Sequence, residues 1–559
     1  MMFRPGLRRG LLFLWVLAAG VLMAPRPAEG VGQDELRALY SNRFGFDRRG
    51  VPLVSVRIME GQTTVTVTSK GGVRLQPFGT ASTRITGASS WTVTIRDGRA
   101  ARVRHWVVLE RLSGAASLQR RNRVSRRWKK RGLLVRTLEE GALFAVGGRV
   151  VDNRSTLVVT RPDPNPVVAA LNSRNLAHQL KIRTTIHREL LRRPRGTLVA
   201  RSRGSRLVLE NSGMVWLAPV KNTPITVKRV EYGRGYHWHG RKDRRYFGRI
   251  YVAVDRHGKL AVVNEVPADH LLYGLVPAEI FTSAPVEALK AQSVAARGQL
   301  LAKIGTRHTT DPYLICSAQH CQVYSGVGSE HPRTTGAVRA TRGQILVDAH
   351  GRLADTVYSA SCGGFSESNE HVWNTPPNPN LRGRMDASAV TARQLGRFAQ
   401  GITDRNIGGW LLARPRCWCS RTAFGAKGKF RWRQRLAQSA MDRLVRKKYH
   451  IGRVRGVRVL ARGRSGRAIR LRITGSLGQA VVHGELVIRR LLGNLKSSMF
   501  QVRRVRGADG RADFLFVGGG WGHGVGMCQT GAIGMAQAKR NVKQILAQYY
   551  RKTRLLKLY

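Results

Sequence analysis

Gly274-Leu275-Val276-Pro277-Ala278-Glu279-Ile280-Phe281 places one carboxylate in an apolar stretch, and Pro285 to Ile304 just beyond it reads as the clearest helix of the chain. Pro285 suits a first helical position and Glu287 a first turn. Val286, Leu289, Ser293, Ala296, Leu300 and Ile304 form a buried stripe at helical spacing, and Gly305 supplies the stop. Glu279 is therefore expected in the loop before this helix. An acid desolvated by Val276, Ile280 and Phe281 is a candidate proton donor, because burial disfavours its charged form. The alternative is a capping acid, whose charged form the helix dipole favours. The residues alone leave that contest open.

Upstream, the pattern changes to strands. Val54, Val56 and Ile58, then Thr64 to Thr68, Trp91 to Ile95 and Val107 to Leu109 alternate with period two between glycine turns. Leu133 to Val159 continues this pattern, Arg161 to Pro166 reads as a break, and Val167 to Leu191 as a helical patch. Strands resume at Leu207 to Val215, Ile225 to Tyr232 and Arg249 to Val254. Downstream, a helix is expected over Gln434 to Lys447, a hairpin around Arg464-Ser465-Gly466, and a closing helix over Gly531 to Tyr550. Strands and helices do not alternate regularly, which argues against a doubly wound sheet. The expected class is α+β, a strand-rich N-terminal region followed by a mixed α+β region.

The 559 residues and 42% hydrophobic content support packed cores in about two to four domains. Arg4, Arg8 and Arg9 precede an apolar run, Leu11 to Ala24, and Ala28-Glu29-Gly30 offers a small-residue cleavage site. This is the pattern of an export signal over residues 1–30; a retained N-terminal anchor with membrane association is the alternative. Residues 31–205 form the strand-rich region, whose densest basic cluster, Arg120 to Arg131, reads as a surface loop. Residues 206–559 make the second region. The net charge of +65 reads either as solvated arginine bias or as attraction to a polyanion. For an exported chain, anionic glycans and membrane surfaces are better partners than nucleic acid.

Six cysteines, Cys316, Cys321, Cys362, Cys417, Cys419 and Cys528, are expected as disulfide material in an oxidising compartment. Cys316, His320 and Cys321, with His308 upstream, also have near-ligand spacing, so zinc competes with a disulfide there. Gly518 to Gly526 around Trp521 matches no phosphate-binding glycine pattern. Its glycines point to close backbone approach, and Trp521 is placed to stack on a pyranose ring. No serine-hydrolase elbow or zincin helix occurs.

Val263 to Glu279, Glu287 to Arg297, His320 to Gly326, Tyr358 to Glu367, Phe430-Arg431-Trp432 and Trp521 to Gln529 together resemble, in order, the motifs of the SpoIID/LytB family, named for stage II sporulation protein D. The resemblance implies an enzyme, a peptidoglycan lytic transglycosylase (a lyase) acting on glycan strands without stem peptides. It puts the catalytic acid at Glu279; beside it, residue chemistry makes Trp521, His523, Gln529, Ser359 and Ser361 the candidate substrate contacts. It requires no cofactor, although some members carry zinc near the segment equivalent to Cys316 to Cys321. It implies a secreted protein in the periplasm or cell envelope of a bacterium. The alternative it carries is a non-catalytic peptidoglycan binder that enhances a cell-wall amidase.

Overall fold

The computed structural model describes residues 39–559 except 42–44, 78–84, 204–206, 222, 234–238, 319, 374, 427, 508–509 and 511. The export signal expected over residues 1–30 lies outside them. Among the described residues no helix is long and apolar enough to cross a membrane.

The chain is α+β, with the strand-rich half first. Alternating Val and Thr residues build long strands, Leu53–Gln62, Thr64–Pro77 and Ile85–Arg99, with one face of each buried. They join an eleven-stranded sheet with Arg195–Ser202, Met214–Pro219, Arg249–Val254 and Leu260–Pro267. The division expected at 205/206 is crossed by this sheet. Leu53–Gln62 pairs antiparallel with Leu260–Pro267, from Leu53 opposite Pro267 to Gln62 opposite Leu260, and parallel with Ile315–Cys316. The reason is non-local pairing, which composition does not register.

Most of residues 102–192 lie outside this sheet, although Val146 and Val151 of the hairpin at 143–152 pack into its core. Arg102–Ser113, Arg136–Glu140, Ser155–Asp163 and Thr185–Arg192 make a four-stranded sheet with its own small cores. The helical patch expected to Leu191 is shorter, Pro166–Leu180, capped by Asn165. The basic cluster is not a loop. It forms the helix Leu118–Lys129, capped by Ser117, which buries Val124 and Trp128 while Arg127 and Arg131 lie over the Trp128 ring at 5.8 and 5.4 Å.

The expected helix at 285–304 is Val286–Lys303, almost wholly buried. The helix expected from Gln434 begins only at Gln438, after a strand Arg431–Leu436, and runs to Arg446. The hairpin forms as Val454–Arg462 and Ala468–Gly475. The closing helix is two, Gln529–Gln537 and Val542–Tyr549, because Lys539 turns left-handed and Asn541 starts a fresh capping box.

Strand Leu260–Pro267 runs straight into helix Ala268–Glu279, whose first N–H donates to the Pro52 carbonyl at 2.8 Å. Asp269 in its first turn meets Arg297 of the buried helix at 3.0 Å, and Arg297 also donates to the carbonyls of Gln344 and Val338. Arg297 is 0% exposed. Removing one partner of such a pair strands the other without water. Arg297→Met is expected to cost about 3–5 kcal/mol, read as a lower denaturant midpoint, with partial recovery on adding Asp269→Asn.

Candidate active site

Glu279 is the last residue of helix Ala268–Glu279, not part of the loop before the next helix. This corrects the capping alternative in sign. The C-terminal end of a helix is its negative pole and disfavours a carboxylate. Pro277 sits inside the last turn, and the helix closes with the Ile280 N–H on the Val276 carbonyl at 3.1 Å. Glu279 is part-buried. Burial pushes its carboxyl above the usual range, while Lys303, the backbone N–H of Val323 and the Tyr358 hydroxyl pull the other way. Burial also lowers Lys303. The Tyr358 phenol is held well above its usual range by burial and then by the Glu279 charge, so it faces the acid as a neutral hydroxyl.

The glycine-rich segment reaches this acid. Gln529 Nε2 donates to the Glu279 carbonyl at 2.7 Å and to Gln292 Oε1 at 3.2 Å. Strand Met527–Cys528 runs parallel to Tyr358–Ser359, so Tyr358 and Gln529 arrive together. The glycines permit this approach. Gly524 (φ 77°) is packed on the Arg467 guanidinium, where a Cβ would lie 2.4 Å from Cζ, and a Cβ on Gly526 (φ 69°) would lie 2.0 Å from the Val357 carbonyl. Arg467, fully buried, donates to the carbonyls of Gly522 and Cys362 and to Ser465 Oγ, so it holds the loop from beneath.

Trp521 is 39% and Phe281 43% exposed. Lys429 Nζ lies 4.1 Å over the Phe281 ring and 5.9 Å over Trp521, and Lys496 Nζ lies 4.9 Å over Trp521. An aromatic and cationic rim therefore joins the segment after Glu279 to the glycine-rich loop. Of the five expected substrate contacts, Trp521 alone presents an exposed face. Gln529 is spent on the acid's backbone. His523 is kept neutral, its pKa pushed down to about 3 by burial and then by Arg467 and Arg489. Its Nδ1 accepts from the Val525 N–H at 3.0 Å and its ring also engages the Tyr358 backbone, making it a positioning residue for Tyr358. Ser359 and Ser361 have buried hydroxyl oxygens without a hydrogen-bond partner. Ser361 pairs through its backbone with Trp521 at 3.0 and 2.8 Å. Sequence reasoning missed Tyr358, Lys303, Lys429 and Arg467. Only Tyr358 carried a signal, its place in the Tyr358-Ser359-Ala360-Ser361 stretch.

All six cysteines are free thiols, so the expected disulfides are absent. Cys316 and Cys321 converge instead with His308 and His320, their ligand atoms within 4.8 Å of one another. Cys321 Sγ lies 3.3 Å from His308 Nε2 and 3.6 Å from His320 Nδ1; Cys316 Sγ lies 3.8 Å from His320 Nδ1. A tetrahedral zinc with sulfur at about 2.3 Å and nitrogen at about 2.0 Å sets such edges near 3.5 Å. His308 Nδ1 meets Asp311 at 2.9 Å, the carboxylate support typical of a metal-binding histidine. The donor set fits zinc. Lys303 donates to the Cys321 carbonyl, one side chain away from Glu279.

Residues 256–347, which include this helix and the His/Cys cluster, match the family described as Stage II sporulation protein. That segment places the chain in the SpoIID family. Residues 367–526 match a domain of unknown function, DUF8618. The chain is 26% identical over 320 residues to stage II sporulation protein D of Bacillus amyloliquefaciens, covering 54% of this chain and 77% of that protein. It is 28% identical over 306 residues to an uncharacterized protein of Brachyspira hyodysenteriae, covering 55% and 70%. It is 27% identical over 297 residues to the amidase enhancer of Bacillus subtilis, covering 51% of this chain and 40% of that one. The DUF8618 segment lies between Tyr358 and Gln529, the two groups that meet Glu279.

A carboxyl whose folded pKa is raised stabilises the fold below its unfolded pKa and loses that contribution as pH rises through the folded value. Glu279 therefore costs stability at neutral pH. Glu279→Gln is expected to raise the thermal midpoint near neutral pH, with the gain vanishing below the ordinary carboxyl range. Equal midpoints at both pH values would remove the desolvated acid.

Proposed function

We propose that this SpoIID-family chain is an exported lytic transglycosylase that cuts peptidoglycan glycan strands with Glu279 as its acid. The observation that carries this reading is the position of Glu279: desolvated, at the negative end of a helix, two residues before the exposed Phe281. Hydrolases of the usual kind pair two carboxyl groups. The groups that shift Glu279 are a lysine, a backbone N–H and a phenol, which suits a reaction that uses one carboxyl twice.

Protonated Glu279 gives its hydrogen to the oxygen between N-acetylmuramic acid and N-acetylglucosamine. That C1–O bond breaks, and the N-acetylglucosamine leaves with a new hydroxyl. The resulting carboxylate, held by the Tyr358 hydroxyl and Lys303, takes the hydrogen from the muramic acid's own 6-hydroxyl. Its oxygen then closes on C1, leaving a 1,6-anhydro end, and the acid is restored without water. Trp521 and Phe281 offer ring faces to the sugars. Lys429 and Lys496 offer charge to the lactyl carboxylates that stripped muramic acids expose. Zinc bound by His308, Cys316, His320 and Cys321 would have no open position, so it would brace the loop before Val323 and not activate water.

A second reading has support from the amidase enhancer relative: a chain that binds the same glycan and stimulates a cell-wall amidase. One assay separates the two. On denuded glycan strands with mass detection, the wild type is expected to release anhydro-ended fragments, and Glu279→Gln to lose about 100-fold or more of that yield. Undiminished yield removes Glu279 from the reaction. No anhydro product from wild type, with amidase stimulation equal for both proteins, establishes the enhancer.

A further inference from the structure

A second cluster of possible ligand groups is wholly buried. Cys362, Asp386, Cys419 and Cys528 are all buried, and their ligand atoms lie within 4.8 Å of one another. The sulfurs of Cys362 and Cys419 are 3.8 Å apart. A disulfide requires about 2.05 Å. Two thiolates on one tetrahedral zinc at about 2.3 Å stand about 3.8 Å apart.

Hydrogen-bond donors aim at two of these four groups. Cys528 Sγ accepts backbone N–H groups from Cys362 at 3.1 Å and Gly531 at 3.3 Å, and faces the Thr530 hydroxyl at 3.5 Å. Asp386 Oδ2 accepts the Cys419 N–H at 3.1 Å, and Oδ1 accepts the Tyr549 hydroxyl at 2.8 Å. Phe365, Met385, Trp418 and Ile533 enclose the group in an apolar core. Among the described residues Asp386 forms no ion pair with a lysine or arginine. Three thiols and a carboxyl thus converge in one dry, apolar site. Cys417 is not part of it: its sulfur faces the Gly364 carbonyl at 3.7 Å.

We infer that Cys362, Cys419, Cys528 and Asp386 bind one zinc ion in a closed tetrahedral site at the root of the 367–526 segment. Cys362 precedes that segment, Cys528 follows it, and Asp386 and Cys419 lie within it. The ion clamps the segment's two ends to the SpoIID part of the chain. Four protein ligands leave no place for water, so its role is structural. Cys528 directly precedes Gln529, and Cys362 ends the stretch that begins at Tyr358, so the clamp fixes both groups that meet Glu279.

Zinc per chain is measured in purified full-length protein by elemental mass spectrometry. Cys419→Ser is expected to lose one equivalent relative to wild type, whereas Asp386→Cys, which keeps a ligand, retains it. Equal zinc in wild type and Cys419→Ser overturns the site, as does a Cys362–Cys419 disulfide in a non-reducing peptide map. If Cys419→Ser does not fold, cobalt-loaded His308→Ala/Cys321→Ser protein decides. Removing the other cluster leaves these sulfurs to report: a thiolate-to-cobalt charge-transfer band supports the site, and its absence overturns it.

Discussion

Keeping one carboxyl dry close to exposed aromatic rings is the constraint that organises this molecule. Glu279 meets it by ending a helix, where the dipole opposes its charge and an apolar neighbourhood removes its water. Two contacts keep the arrangement from drifting. Arg297 pins the first turn of the acid's helix through Asp269, and Gln529 pins the last through the Glu279 carbonyl. Both fasteners come from elsewhere in the chain, so the acid is positioned by tertiary packing and not by its own loop.

Much of the fold was legible because burial imposes a period. The alternation of residues 53–77 states which face is inside, whereas Val286–Lys303 is buried on nearly every side and the first residue of its expected stripe, Val286, is exposed. Glu279 was expected in a loop because only the helix from Pro285 was read there; it ends the helix Ala268–Glu279, whose Pro277 sits in the last turn, where a proline disturbs little that is not already ending. The expected edge at 205/206 is crossed by a pairing that no local pattern encodes, that of Leu53–Gln62 with Leu260–Pro267 far along the chain. His320 and Cys321 advertised a ligand site by proximity. Cys362, Asp386, Cys419 and Cys528 could not, being scattered until the fold gathers them.

The same contrast divides the expected site residues. Trp521 was found because an aromatic among glycines has few other uses, and its ring is indeed exposed. Gln529 and His523 belong to the same stretch but spend their polar atoms on backbone groups. Sequence shows which segments converge; it does not show which side chains face out. Two of the many basic residues, Lys429 and Lys496, stand above exposed rings.

Strand Leu53–Gln62 covers the flank of Leu260–Pro267 that would otherwise stand open. A fragment cut to begin near residue 206 would present that flank as a bare row of amides and carbonyls, a template for intermolecular β-pairing. Shortening the chain to its most recognisable half would therefore yield a self-associating product, and a protease acting between the two halves need not release anything active.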